Sequence, residues 1–235
     1  FGFYLTRNDL KKLFENLVFS ILRSKPYYYF IRYIFPKMRF TNSYGGIPGH
    51  KYSEAYSILQ KGNCVLTVDK AKASAIVPGL FSHAAICVDI VKDWEEGRYE
   101  IGEMTAPGYT KSFFYDVCRE STRIVIIDCV DYNDVDRYSV GEQVKKYDGV
   151  KYDVEFTLGV EDLYCSELFY QAEIKTVGKF KFDLSDLIGL NRPYISPDGL
   201  LFAKNAIVLY DSEYELTGMT GPVAEEYCKS KGYIK

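Results

Sequence analysis

The chain has 235 residues, 47% apolar and 16% aromatic, which suits one large domain or one domain with an appendage and excludes a largely disordered chain. Its net charge of −3 is unevenly spread: residues 1–40 hold eight Lys or Arg against two acids, a local +6 that leaves −9 to the remainder. An acidic main body excludes nucleic-acid binding there, because a phosphate backbone demands a basic surface.

In chain order, Asn8 or Asp9 is placed to cap a first helix, since Leu10, Leu13, Phe14, Leu17, Val18, Ile21 and Leu22 follow at 3–4 spacing up to Pro26. Residues 27–40 then combine seven aromatics with three Lys or Arg. Such a segment either packs across the domain with its charges reaching solvent or lies in a membrane interface. The first is the plainer expectation; the second makes residues 10–40 a membrane-surface contact. Gly45-Gly46-Ile47-Pro48-Gly49 reads as a loop and Ser53 through Gln60 as a short helix.

The apolar runs beginning at Asn63 and at Ser82 predict two strands, with His83 near the start of the second. Charged residues 92–98 turn that strand into Tyr99 through Met104, a hairpin that sets Glu103 on the strand beside His83. Arg123 through Val130 is the strongest strand signal, and Tyr138 through Tyr147 predicts a helix. Residues 149–164, marked by Tyr152, Asp153 and Phe156, approach a helix that opens at Cys165. Pro193, Pro197 and Gly199 punctuate a loop before a strand at Ala206 through Tyr210, and polar residues 211–235 read as a weakly packed tail. No run of eighteen apolar residues offers a membrane-spanning helix. A chain that opens on Phe1 is expected to have lost its natural N-terminus.

The six cysteines form no C-x-x-C pair, which speaks against a zinc site of ordinary spacing. Cys64, Cys87 and Cys129 fall in apolar strand runs and are expected to serve as small buried hydrophobes. Cys165 differs. It follows turn-forming Gly159, Glu161 and Asp162, and Leu168, Phe169 and Ala172 recur after it at helical spacing. A thiol in a first helical turn lies beside unpaired N–H groups and the positive end of the dipole, which favours thiolate and steadies an oxyanion. Cysteine, histidine and an acid are the kit for acyl transfer. Of the two histidines, His83 is placed for the role, while His50 sits in a loop and is expected at the surface.

Asn63-Cys64-Val65-Leu66-Thr67, Ser82-His83-Ala84-Ala85-Ile86, Ile101-Gly102-Glu103, Lys151-Tyr152-Asp153 and Tyr164-Cys165-Ser166-Glu167-Leu168 occur in the order seen in YiiX-like proteins. The chain therefore resembles the circularly permuted branch of the NlpC-type papain-like cysteine hydrolases, in which histidine precedes cysteine, as also in the lecithin retinol acyltransferase group. The resemblance covers roughly residues 60–170 and departs from the family where Asn63 stands in place of the usual aspartate. It implies an α+β, permuted papain-like fold: an antiparallel barrel-like sheet with the nucleophile-bearing helix packed against it. It implies Cys165 as nucleophile, His83 as general base and acid, Glu103 as the residue that orients His83, and Tyr152 as a substrate contact.

The implied substrate is a peptide or an acyl lipid, with neither metal nor organic cofactor required, and the implied location is the cell envelope or a membrane surface. The division that follows is an N-terminal arm (1–50), a catalytic domain (51–210) and a C-terminal tail (211–235). The alternative is a non-catalytic binding module or membrane-surface protein with the same pocket.

Overall fold

A computed structural model describes residues 16–18, 20–21, 24–30, 46–69, 79–92, 97–159, 161–186 and 193–234. Of the expected first helix, residues 16–18, 20 and 21 are helical, and the rest lies outside the described residues, as does the basic aromatic stretch beyond residue 30. Pro26 does not close that helix but sits in the first turn of a short one, α1 (Lys25–Tyr29). Proline is suited there because its missing N–H has no helical partner to lose. The Ser24 Oγ caps α1 by accepting the Tyr27 N–H at 3.3 Å.

Next come α2 (Gly49–Ile58), β1 (Cys64–Asp69), β2 (His83–Lys92), β3 (Gly97–Thr105), β4 (Gly108–Phe113), α3 (Phe114–Glu120) and β5 (Ser121–Cys129). Then follow α4 (Asp134–Lys145), β6 (Lys151–Tyr152), β7 (Asp162–Leu163), α5 (Cys165–Thr176), β8 (Ser185–Asp186) and β9 (Pro193–Tyr194). The chain finishes with α6 (Pro197–Leu201), β10 (Ala206–Asp211) and α7 (Gly221–Ser230). The helix at 134 starts four residues before the apolar pattern announces it. Its cap is Asn133, whose Oδ1 accepts the Val135 and Asp136 N–H groups while Asp136 answers by accepting the Asn133 N–H.

Six strands form one antiparallel sheet in the order β10-β5-β1-β2-β3-β4. The fold is thus mixed α+β with a large antiparallel sheet, but the sheet is open. The barrel-like closure implied by the resemblance does not occur, because β10 and β4 end the sheet without pairing with one another. Both faces are covered, and this is why β5 reads as an unbroken apolar run rather than an alternation. On one face Cys64, Leu66, Ala84, Ile86, Val125 and Ile127 lie in one cluster with Leu168, Phe169 and Ala172 of α5. On the other, Val65, Ala85, Cys87, Ile101 and Ile126 cluster with Ala55 of α2 and Phe114 of α3.

Residues beyond 211 are not a weakly packed tail. Leu216, Ala224 and Cys228 are buried in the main core, and Asp211 is fully covered while holding Arg123 in a two-pronged ion pair at 2.7 and 3.0 Å. The polar composition misleads because those side chains are the outward face of an amphipathic helix and the partners of a buried arginine. Likewise Pro193 enters β9, and Pro197 and Gly199 belong to α6 rather than to a loop.

Leu216→Ala should therefore cost about 2–5 kcal/mol in urea unfolding, the usual range for a buried leucine truncated to alanine. A change within about 0.5 kcal/mol, typical of surface positions, would remove residues 211–234 from the core.

Candidate active site

Cys165 is the first residue of α5, and Tyr164 before it has extended backbone, φ −101° and ψ 174°. The sulfur accepts backbone N–H groups from Ser166, in the same helical turn, and from Ala84 of β2. Glu167 completes the turn. Its Oε1 accepts the Gly159 N–H at 2.7 Å and its Oε2 the Tyr164 N–H at 3.5 Å, so its carboxyl ties the approach loop to the helix start.

His83 opens β2 at the end of the sheet. In the β2–β3 register Ala85 faces Glu103, so His83 and Glu103 are diagonal neighbours on one face, within reach of long side chains. His83 Nε2 lies 2.9 Å from Glu103 Oε2, and Glu103 Oε1 accepts the Ser112 Oγ–H at 2.7 Å from β4. Because Nε2 is engaged there, Nδ1 is the nitrogen left for the hydrogen bond that joins the imidazole to Cys165.

Burial alone pushes a thiol up and an imidazole down, since it penalises whichever form is charged. Here it is overridden. Against burial, the hydrogen bond and the charge of His83 hold the Cys165 thiol below its ordinary value, helped by the Ala84 and Ser166 N–H groups. Against burial, Cys165 and Glu103 hold the His83 imidazole well above its own. Burial likewise works against ionised Glu103, and His83 and Ser112 outweigh it. All three groups are thus shifted toward their charged forms against burial: the thiol down, the imidazole up and the carboxyl down. The other strand and helix cysteines lack such partners: burial pushes Cys118 up to about 12 and Cys129 up to about 11.

Tyr152, on β6, stands beside this row. Burial and the negative charge on Cys165 push its phenol well above the usual range, so it stays protonated and keeps an O–H to donate. Phe156 packs edge-on to Tyr152, with ring centroids 6.2 Å apart, and tilts against Tyr164 at 5.3 Å. Its backbone is left-handed, φ 52°, which costs on the order of 1 kcal/mol or more for a residue with a β-carbon. Asp153 holds that loop in shape by accepting the Glu155 N–H at 2.7 Å and the Thr157 N–H at 2.6 Å.

The four residues singled out from the sequence, Cys165, His83, Glu103 and Tyr152, thus meet in one place. His50 does not join them; it lies exposed in the first turn of α2. Three contributors were given no role from the sequence, although Tyr164 and Glu167 stand in the motif around Cys165. Glu167 carries a readable signal, an acid three residues after the helix cap. Ser112 and Tyr164 carry none, because their parts follow from strand register and from a contact with Ile195 far along the chain.

No protein-family model matches the sequence, and no curated protein matches it. Among solved structures, the fold is similar to one described as the metalloprotein YiiX from Escherichia coli O157:H7. The TM-score is 0.56 at 14% identity, over 65% of this chain and 97% of that one. The chain therefore has a YiiX-like fold. As for a metal, among the described residues no group of three or more His, Cys, Asp or Glu side chains is arranged to hold an ion. His83 is already engaged on both sides, by Glu103 and Cys165, so these residues do not fit a metal centre.

Glu167 offers a test of the local electrostatics. Burial raises its carboxyl from 4.5 to about 7, the Gly159 N–H and Gln171 opposing. Between those values the folded state binds more protons than the unfolded one, so this group's contribution to stability falls as pH rises from about 4.5 to about 7. Glu167→Gln should lose that part, and its urea midpoint should drop less between pH 5 and pH 8 than the parent's. An equal drop in the two proteins would mean that Glu167 does not titrate in this window.

Proposed function

We propose that the protein is a cysteine-dependent acyl-transfer enzyme, a hydrolase of the amidase or peptidase kind or an acyltransferase, working through a thioester acyl-enzyme. The observation that carries this reading is a single imidazole coupled to a helix-terminal thiol on one side and hydrogen-bonded to a half-buried carboxylate at 2.9 Å on the other. Cys165 thiolate attacks a substrate carbonyl carbon, and the carbonyl electron pair moves onto oxygen. His83, protonated, then gives its proton to the departing nitrogen or oxygen as the tetrahedral species collapses to a thioester. In the second half His83 takes a proton from water, or from an acceptor alcohol or amine, which attacks the thioester and frees Cys165. Glu103 keeps the imidazole in one orientation and stabilises its positive form. The Cys165 N–H at the start of α5 and the Tyr152 hydroxyl are the donors offered to the oxyanion.

His83 precedes Cys165 along the chain, which supports a permuted papain-like arrangement, with the catalytic unit in residues 51–210, completed by the buried side chains beyond 211, and residues 1–50 as an arm. The substrate classes that go with this reading are cell-wall peptides and acyl lipids. A lipid-surface role for residues 10–40 is supported by Leu17 and Ile21, one helical turn apart and 59% and 52% exposed within a basic segment. One observation favours a non-catalytic binding module instead: Cys165 is only 4% exposed, which limits a substrate's access to the sulfur.

The test is the pH dependence of Cys165 alkylation by a small haloacetamide. The parent should react well below the free-thiol value of about 8.5, and His83→Ala should move the profile up to that value or above it, because burial is then unopposed by the imidazole. Turnover of a substrate found by screening peptides and acyl esters should fall at least about 10²-fold in the same variant. An ordinary thiol profile that ignores His83 would favour the binding module.

A further inference from the structure

The two reactive side chains come from segments far apart in sequence, and a third segment touches both. Ile195, just after β9, binds the two residues that flank Cys165. Its N–H donates to the Tyr164 hydroxyl at 2.8 Å, and its carbonyl accepts the Ser166 Oγ–H at 2.6 Å. Three residues on, in the first turn of α6, Asp198 binds the approach to His83. One carboxylate oxygen accepts the Leu80 N–H at 2.8 Å and the other the Phe81 N–H at 2.9 Å.

Between these ends the chain has no slack. Ser196 caps α6 by accepting the Gly199 N–H at 2.9 Å, and Ile195, Ser196 and Pro197 are buried. On the histidine side, the Ser82 N–H bonds the Thr67 carbonyl at 3.0 Å, so the step from Phe81 into β2 is also fixed. Gly79 fits closely against the same carboxylate: a β-carbon there would lie 2.6 Å from Asp198 Oδ2.

We infer that residues 195–198 form a bridge that sets the separation of Cys165 and His83, with Asp198, Tyr164 and Ser166 as positioning residues. The inference rests on the proposed function above and adds what holds its two reactive groups in register. Each contact has a local purpose, but together they make a rigid connection from one side of the thiol–imidazole hydrogen bond to the other. A misplacement of about 1 Å at a reacting centre costs on the order of 10²-fold in rate. A loosened bridge therefore weakens the ion pair while leaving Cys165, His83 and Glu103 in the protein.

Asp198→Asn keeps the volume but turns an amide –NH2 toward one of the two N–H donors. Ser166→Ala removes the other end without touching the backbone N–H that serves the sulfur. The bridge predicts that each variant, with a thermal midpoint confirming that it is folded, alkylates at Cys165 about tenfold or more slowly at pH 6. The midpoint of the pH profile should also move up toward about 8.5. The double variant should be no slower than the worse single one, because both substitutions release the same connection.

An acid-shifted parent with unshifted variants would overturn the bridge and leave the proposed function standing. Additive effects would mean two independent anchors and would also overturn it. An ordinary thiol profile in the parent would overturn the reading on which the bridge rests. Should Asp198→Asn fail to fold, Gly79→Ala, whose β-carbon would crowd the Asp198 carboxylate, takes its place at the histidine end and decides with Ser166→Ala by the same readouts, an unshifted profile overturning the bridge.

Discussion

The hydrogen bond between His83 and Glu103 is the constraint on which the rest of this site depends. Burial opposes charge on both the imidazole and the thiol, and the contacts made by His83 work against it on each. On the histidine that opposition comes from Cys165 first and from the Glu103 carboxylate at 2.9 Å second, and on the cysteine it comes from His83. The side chains of His83 and Glu103 are each only 15% exposed, so the solvent screening that weakens surface ion pairs is largely absent. Ser112 then takes Glu103's second oxygen and leaves the carboxylate one orientation.

The architecture supplies those groups from rigid elements. Antiparallel pairing of β2, β3 and β4 delivers His83, Glu103 and Ser112 to neighbouring positions by register alone. The apolar face of α5, through Leu168, Phe169 and Ala172, fixes the helix on the sheet and so brings its first residue to the end of β2. By contrast, the wall of the site formed by residues 152–159 has almost no regular structure. Its shape depends on two buried carboxylates, Asp153 and Glu167, that accept backbone N–H groups, and on a left-handed Phe156 between two tyrosines. In the proposed cysteine enzyme, a rigid row of side chains beside an irregular wall is the arrangement expected where chemistry is fixed and selectivity is carried by loops.

Much of the site was legible in the sequence because its signals are local. A cysteine after turn residues and before a helical apolar stripe identifies the helix start, and a hairpin between His83 and Glu103 makes them neighbours. Asn133 and Glu167 act through caps that the spacing of polar residues also encodes, although neither cap was read from it. What escaped depends on contacts remote in sequence. Leu216, Ala224 and Cys228 are too sparse within a polar stretch to announce burial, and Asp211 looks like a surface acid until Arg123 meets it. Closure of the sheet escaped for a similar reason: strand signals give the number and polarity of strands, but whether the two edge strands meet depends on their twist and stagger. Asn205 shows the same limit, since its amide joins Asp131 and the Lys179 carbonyl across more than twenty residues.

The central claim is that Cys165 and His83 share their proton as an ion pair governed by Glu103. The most direct measurement is an ultraviolet titration of the thiolate, taken as the difference between the parent and Cys165→Ser, and repeated with Glu103→Gln. The account predicts a difference signal that persists well into acid in the parent and retreats toward about 8.5 when Glu103 loses its charge. A parent signal that appears only near that ordinary value, or one unmoved by Glu103→Gln, would contradict it.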